Sequence, residues 1–185
     1  MNVFDFDHTI YDGDCSLRFY VFCLRKHPKL WWRLPRNVLF GLLFVLKCIS
    51  RAKFKQVFYE SFIPYVETAK EVREFWEKEH VRIKKWYLDM KTPTDLIISA
   101  SPSFLITPIA RRLRVREISS QVSPKTGVLE SPNNRGEEKV ANFKKLYPAA
   151  KIQRFYTDSR ADLPLARLAE RKFMVSGNIV KEVLE

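Results

Sequence analysis

The sequence predicts an α/β fold: a mostly parallel sheet with helices on both faces, interrupted early by a helical insertion. Three observations predict it. Short apolar, β-prone runs recur at residues 2–6, 95–99, 117–122, 152–157 and 172–175. Between the later runs lie segments of helical pattern, 103–113, 137–147 and 161–170; strands alternating with helices imply βαβ units. From residue 14 to residue 90 the alternation stops and consecutive helical patterns replace it. The expected organisation is a core of residues 1–13 and 91–185 with a helical cap of residues 14–90 inserted into it.

The first run reads Val3-Phe4-Asp5-Phe6-Asp7-His8-Thr9-Ile10. It delivers two carboxylates and a hydroxyl at alternate positions, which share one side of a continuing strand. In an open α/β sheet, ligands bind just beyond the carboxyl ends of the strands. Carboxylates crowded there repel each other unless a cation lies between them, and carboxylate-plus-water coordination suits Mg²⁺. One carboxylate can then act as nucleophile and the other as acid and base. The same residue types also suit a turn, as does Asp12-Gly13-Asp14 after them.

The insertion reads as helices over 16–25, 30–50, 53–62 and 67–87. In the last, Val72, Phe75, Trp76, Ile83 and Trp86 recur at helical spacing, as a packing face does. Charge is concentrated here. Of a net +12, ten charges come from residues 15–59, which hold ten basic residues and no acidic one. Such asymmetry suits phosphate groups, an anionic membrane surface or nucleic acid. Within it, residues 30–49 are strongly apolar, but the uninterrupted run, 38–46, is nine residues long. A membrane-spanning helix needs about 20. Two readings stand: an interfacial helix, with Trp31 and Trp32 at headgroup level and cations on anionic lipid, or a cap helix covered by its neighbours.

Later strands end in further polar residues. Ile97-Ile98-Ser99-Ala100-Ser101 sets a hydroxyl, and then backbone N–H groups, at the end of the second strand. Gly136-Glu137-Glu138-Lys139 places a lysine near a helix start, and Thr157-Asp158-Ser159-Arg160-Ala161-Asp162 closes the fourth strand with two more acids. Residues 122–129, with Pro124 and Gly127, suggest a small hairpin. Cys15, Cys23 and Cys48 have no metal-ligand spacing and read as reduced thiols, and no secretory signal opens the chain. A cytoplasmic location is therefore expected, with peripheral contact at the inner membrane surface if the cap meets lipid.

The ordered set Asp-x-Asp-x-Thr, Ser, Lys, Asp-x-x-x-Asp resembles the haloacid dehalogenase superfamily of phosphohydrolases. It is similar in particular to the branch containing phosphoserine phosphatase, which has a Rossmann-like core and a helical cap after the first motif. Within that branch, the basic apolar cap segment and the runs around Ser99, Lys139 and Asp158 resemble the phosphatidylglycerophosphatase C type. The resemblance implies Asp5 as nucleophile, Asp7 as acid and base, and Lys139 as the cation that neutralises developing charge. It implies Ser99 and Ala100, with Lys139, as phosphate-binding groups, and Thr9 and Asp162 as supporting residues. Asp5, Asp7 (through its carbonyl) and Asp158 are implied as Mg²⁺ ligands. His8 and Thr157 stand where the family usually has glycine.

The expected function is that of a Mg²⁺-dependent phosphatase working through an aspartyl phosphate on a phospholipid headgroup phosphate such as phosphatidylglycerophosphate. A soluble phosphoserine-like or sugar phosphate substrate is the alternative within the same chemistry. A basic nucleic-acid-binding protein is the alternative of another class, but it leaves the four aspartates unexplained and the basic segment is too apolar for it. No nucleic-acid partner is expected.

Overall fold

The computed structural model describes residues 1–183. Six strands, β1 (Asn2–Phe4), β2 (Leu96–Pro102), β3 (Arg116–Ser120), β4 (Ile152–Thr157), β5 (Ala169–Ser176) and β6 (Ile179–Val183), form one sheet in the order β3-β2-β1-β4-β5-β6. All pairs are parallel except β5–β6. The chain leaves β1 for β2 on one side and returns to β4 on the other. The carboxyl end of β1 is therefore the switch point where an open α/β sheet forms its ligand crevice.

Side-chain alternation divides the sheet between two apolar clusters. Val3, Leu96, Ile98 and Phe155 face α7 (Glu137–Leu146) and α8 (Leu163–Ala166), while Phe4, Ile97 and Tyr156 face the other way. The second cluster does not stop at the sheet. It continues into α1 (Cys15–Lys26), α4 (Thr68–Glu79) and α6 (Ser103–Leu113) through Phe6 against Trp76, with ring centres 6.0 Å apart, and Phe19 against Phe104 at 6.2 Å. The buried indole Nε1 of Trp76 donates to the Leu105 carbonyl at 2.8 Å. Cap and sheet thus share a core.

Several boundaries differ from the sequence reading. The pattern over 67–87 is not one helix: α4 ends at Glu79, a tight turn follows over His80–Arg82, and α5 spans Lys85–Met90. Ile83 is extended and bridges Tyr11, so its apolar spacing reflects a contact with the first loop. The segment 30–50 divides into a 3₁₀ stretch, Pro28–Arg33, and α2 (Leu34–Val45), with Pro35 in the first turn of α2. The stretch 161–170 is not one helix: a 3₁₀ turn, Arg160–Asp162, leads into the four residues of α8, and β5 begins at Ala169. Strand β6 was not anticipated; it pairs antiparallel with β5 at the sheet edge and is mostly exposed.

Helix α3 (Arg51–Glu60) begins at Ser50, whose hydroxyl accepts the Lys53 N–H at 3.2 Å. The hairpin closes through the Val122–Leu129 bridge and lies against α3. There Gly127, at φ +75°, approaches so closely that a Cβ would fall 2.6 Å from the Tyr59 carbonyl carbon. Helix α2 packs beside α3, yet none of its residues is buried. No helix among the described residues is long and apolar enough to cross a membrane.

Candidate active site

Asp5 follows β1 directly, and its N–H still donates to the Tyr156 carbonyl at 2.9 Å. The chain then curls: the Ile10 and Tyr11 N–H groups both donate to the Phe6 carbonyl at 3.0 Å, with Phe6, Ile10 and Tyr11 fully buried beneath. The curl requires a left-handed residue, and His8 supplies it at φ +56°. Lys84 holds this conformation from the cap side, its Nζ donating to the carbonyls of His8 and Gly177 at 2.5 Å each.

Lys139 enters from α7. Gly136 begins that helix at φ +59°, ψ −124°, a region essentially reserved for glycine. The Lys139 side chain is buried, with Nζ 2.7 Å from Asp5 Oδ1 and 2.6 Å from Asp162 Oδ2. Thr157 also donates to Asp162 Oδ2, at 3.1 Å. Thr9 Oγ1 accepts the Asp158 N–H at 2.9 Å, tying the β1 loop to the β4 loop. Asp7 accepts the Cys15 N–H at 2.7 Å and the Ser101 hydroxyl. Ser101 is linked in turn to Ser16, and Ser16 to the Tyr59 hydroxyl, so the Asp7 carboxylate is joined to the cap by a chain of hydroxyls.

Burial governs the electrostatics. It pushes the Asp5 carboxyl up from 3.8 to about 7, against the pull of Lys139, while Asp162 and Asp7 raise it further. Burial also raises Asp7, and Asp14 adds to this. For Lys139 burial acts downward, but Asp5 and Asp162 outweigh it and its pKa is raised. The lysine is therefore a fixed cation between two carboxylates.

Asp5, Asp7, Ala100, Lys139, Asp158 and Asp162 line one cavity of about 480 Å³, the size of a small-molecule site. Ser99 and Thr9 lie behind its lining. Ser99 is buried with its Oγ accepting the Ser101 N–H at 3.0 Å, and the residues near the end of β2 that line the cavity are Ala100 and Ser101. Asp14 lines the cavity while also capping α1 at the Leu17 N–H. Arg18 is paired with Glu79 at 2.6 Å. Ser101, Arg51, Lys55 and Arg135 also line the cavity; the sequence reading includes Arg51 and Lys55 only among the ten cations that suit an anionic partner and gives Ser101 and Arg135 no role. The signals were faint: a second serine two positions after Ser99, two cations at i and i+4, and an arginine beside Gly136.

The donor set suits Mg²⁺. Asp5 and Asp158 line the same cavity, the side-chain hydrogen bond to each falls on Oδ1, and two carboxylates completed by a carbonyl and waters are hard oxygen ligands. Among the described residues there is no group of three or more His, Cys, Asp or Glu side chains placed to hold a metal. Any such ion must therefore take main-chain oxygen or water as well.

No curated protein sequence matches the chain. Among solved structures, it is similar to a protein of unknown function from Bordetella pertussis Tohama I, with TM-score 0.76 and 20% identity over 93% of this chain and 87% of that one. It is similar to a phosphoserine phosphohydrolase-like protein from Francisella tularensis subsp. tularensis SCHU S4, with TM-score 0.64 and 19% identity over 97% and 89%. A probable phosphoserine phosphatase from Vibrio cholerae matches with TM-score 0.63 and 11% identity, over 92% of this chain and 55% of that one. At these identities the likeness is one of fold. The family model of haloacid dehalogenase-like hydrolases matches residues 3–167, which include the β1 loop, Lys139 and both aspartates after β4, and the chain belongs to that family.

Proposed function

We propose that this hydrolase is a Mg²⁺-dependent phosphomonoesterase that works through an aspartyl phosphate on Asp5 and acts on a phospholipid headgroup phosphate, such as that of phosphatidylglycerophosphate. The observation that carries the phosphatase reading is Lys139, buried between Asp5 and Asp162 at the switch point of the sheet, in one cavity with Asp7 and Asp158. Asp5 attacks phosphorus and the bond to the leaving oxygen breaks, with Asp7 giving that oxygen its proton. Water then attacks the same phosphorus, Asp7 takes its proton, and the bond to Asp5 breaks to release phosphate. Lys139 supplies positive charge to the equatorial oxygens, beside Ala100 on the cavity wall. Bound Mg²⁺ would add charge neutralisation, held by Asp5, Asp158 and the Asp7 carbonyl.

The lipid reading is supported by α2. Val38, Leu39, Leu42, Val45 and Leu46 recur at i, i+3 or i+4, i+7 and form one exposed stripe, preceded by Trp31 and by Trp32, which is 90% exposed. Lys29, Arg36, Lys47 and Lys53 lie before, within and after it along the chain, in a stretch without an acidic residue. An apolar stripe edged with cations suits the surface of an anionic membrane. The opposite side of α2 reaches the cavity wall through Phe44 stacked on Phe54, ring centres 5.1 Å apart. On this reading the protein works from the cytoplasm, peripheral to the inner membrane surface.

The test is phosphate release with Mg²⁺ from phosphatidylglycerophosphate in mixed micelles, from phosphoserine and from p-nitrophenyl phosphate. The lipid should show the highest kcat/KM. Failure to hydrolyse any of the three overturns the phosphatase reading; a preference for phosphoserine overturns the lipid part alone.

A further inference from the structure

We propose that Arg51, Lys55 and Arg135 form a subsite for a second phosphate group of the substrate, beside the phosphoryl group that Asp5 receives. The proposal rests on the phosphatase reading and adds the chemistry of what is attached to the leaving oxygen.

Arg51 and Lys55 stand at i and i+4 on α3 and share a face. Arg135 lines the same cavity from the loop before α7. No carboxylate lies within ion-pair distance of any of the three among the described residues. This sets them apart from Lys139, which two carboxylates already neutralise. Lys55 Nζ donates to the Ala100 carbonyl at 2.7 Å and to Asn133 Oδ1 at 2.8 Å, so the ammonium is fixed in place and keeps a proton free. Arg51 touches the Phe44 ring, 5.3 Å from its centre.

The three cations act on one another. Burial is the main cause that brings Lys55 down to about 8; Asp7 and Asp14 pull against it, and Arg51 and Arg135 act in the same direction as burial. Burial lowers Arg51 too, with Arg135 adding to the effect. Like charges gathered without a carboxylate paired to any of them are unfavourable, and an anion between them removes the penalty. Two guanidinium forks and an ammonium match phosphate oxygens in number and geometry. Phe54 and Phe58, at i and i+4 on the same helix, give the connecting carbon chain an apolar wall.

The test measures binding to the Asp5→Asn protein with Mg²⁺, so turnover is not needed. The probes are glycerol 3-phosphate, with one phosphate; glycerophosphoglycerol phosphate, with a phosphodiester and a terminal phosphomonoester; and 3-phosphoglycerate, with a carboxylate as its second anion. The doubly phosphorylated probe should bind at least about tenfold more tightly than glycerol 3-phosphate, as one added charge-assisted contact allows. In Arg51→Gln and Arg135→Gln, neither at a buried position, that preference should fall by about tenfold or vanish. The same preference in both variants overturns the subsite, and tighter binding of 3-phosphoglycerate than of the phosphodiester probe overturns its phosphate chemistry. Absence of phosphate release by the native enzyme, with these affinities intact, counts against the phosphatase reading and not against the subsite.

Discussion

Thr9 and Asp158 lie 149 residues apart, and the hydroxyl of the first accepts the backbone N–H of the second at 2.9 Å. The contact locks the loop after β1 to the loop after β4 and sets the direction in which the Asp158 carboxylate leaves the sheet. Position of a carboxylate, rather than its presence, decides whether a hard cation can share it with Asp5.

Thr9→Val keeps the shape and removes the acceptor, leaving the Asp158 N–H without its partner. A stability loss of about 1–3 kcal/mol is expected. Mg²⁺ affinity should fall by about ten- to a hundredfold, as when a group that orients a metal ligand is lost. Thr9→Ser should restore most of both. Urea unfolding and Mg²⁺ titration of phosphatase activity measure the two effects, and equal Mg²⁺ requirements in Thr9→Val and the native protein would contradict the positioning role.

Asp5 predicts how the metal-free protein responds to pH. Burial raises its carboxyl from 3.8 to about 7. The folded state therefore holds a proton that the unfolded state has released between those values. The stability this group contributes is complete below 3.8 and is lost as pH rises through 7. Asp5→Asn is neutral throughout and lacks that loss. The chelated variant should melt above the native protein near pH 8, and the difference should shrink toward about pH 4. Mg²⁺ should narrow the gap near pH 8 by stabilising the native carboxylate. Calorimetric melting at the two pH values checks the sign.

Lys84 should prove to be a positioning residue for the β1 loop. Lys84→Met removes the donor from the His8 and Gly177 carbonyls, at an expected cost of about 1–3 kcal/mol. With the left-handed turn at His8 no longer held, kcat should fall while far-UV circular dichroism stays native. His8→Gly added to this variant should recover part of the activity, because glycine adopts the turn without a side-chain clash. No recovery would mean that Lys84 acts elsewhere.

The stripe on α2 predicts membrane behaviour. Trp32 fluorescence should shift to the blue on vesicles containing anionic lipid and much less on neutral ones. The electrostatic part of binding, about 1 kcal/mol per cation near the surface, should weaken as salt rises, leaving the apolar part. Replacing Val38, Leu42 and Val45 by Ser should reduce vesicle binding and turnover of lipid phosphate, with p-nitrophenyl phosphate turnover preserved. No binding at low salt would leave the stripe to a protein partner.

The alternation of apolar and acidic residues in Val3–Thr9 was enough to locate a strand end carrying Asp5 and Asp7, because strand periodicity is a local property of the chain. The βαβ pattern then implied a shared end for Ser99, Asp158 and the helix bearing Lys139, since parallel strands present their carboxyl ends together. Local pattern went no further. It could not show that Ser101 lines the cavity beside Ala100 while Ser99 does not, because the strand continues past Ser99 to Pro102 and β2 loses register with β3 between Ile98 and Pro102. It misread Ile83 as helical because an apolar residue spaced for a helix can equally be one bridged to a distant loop. The grouping of Arg51 and Lys55 with Arg135, and the hold of Lys84 on His8, depend on how the cap lies over the sheet. Periodicity reports which face a residue takes on its own element; only packing between elements decides which faces meet.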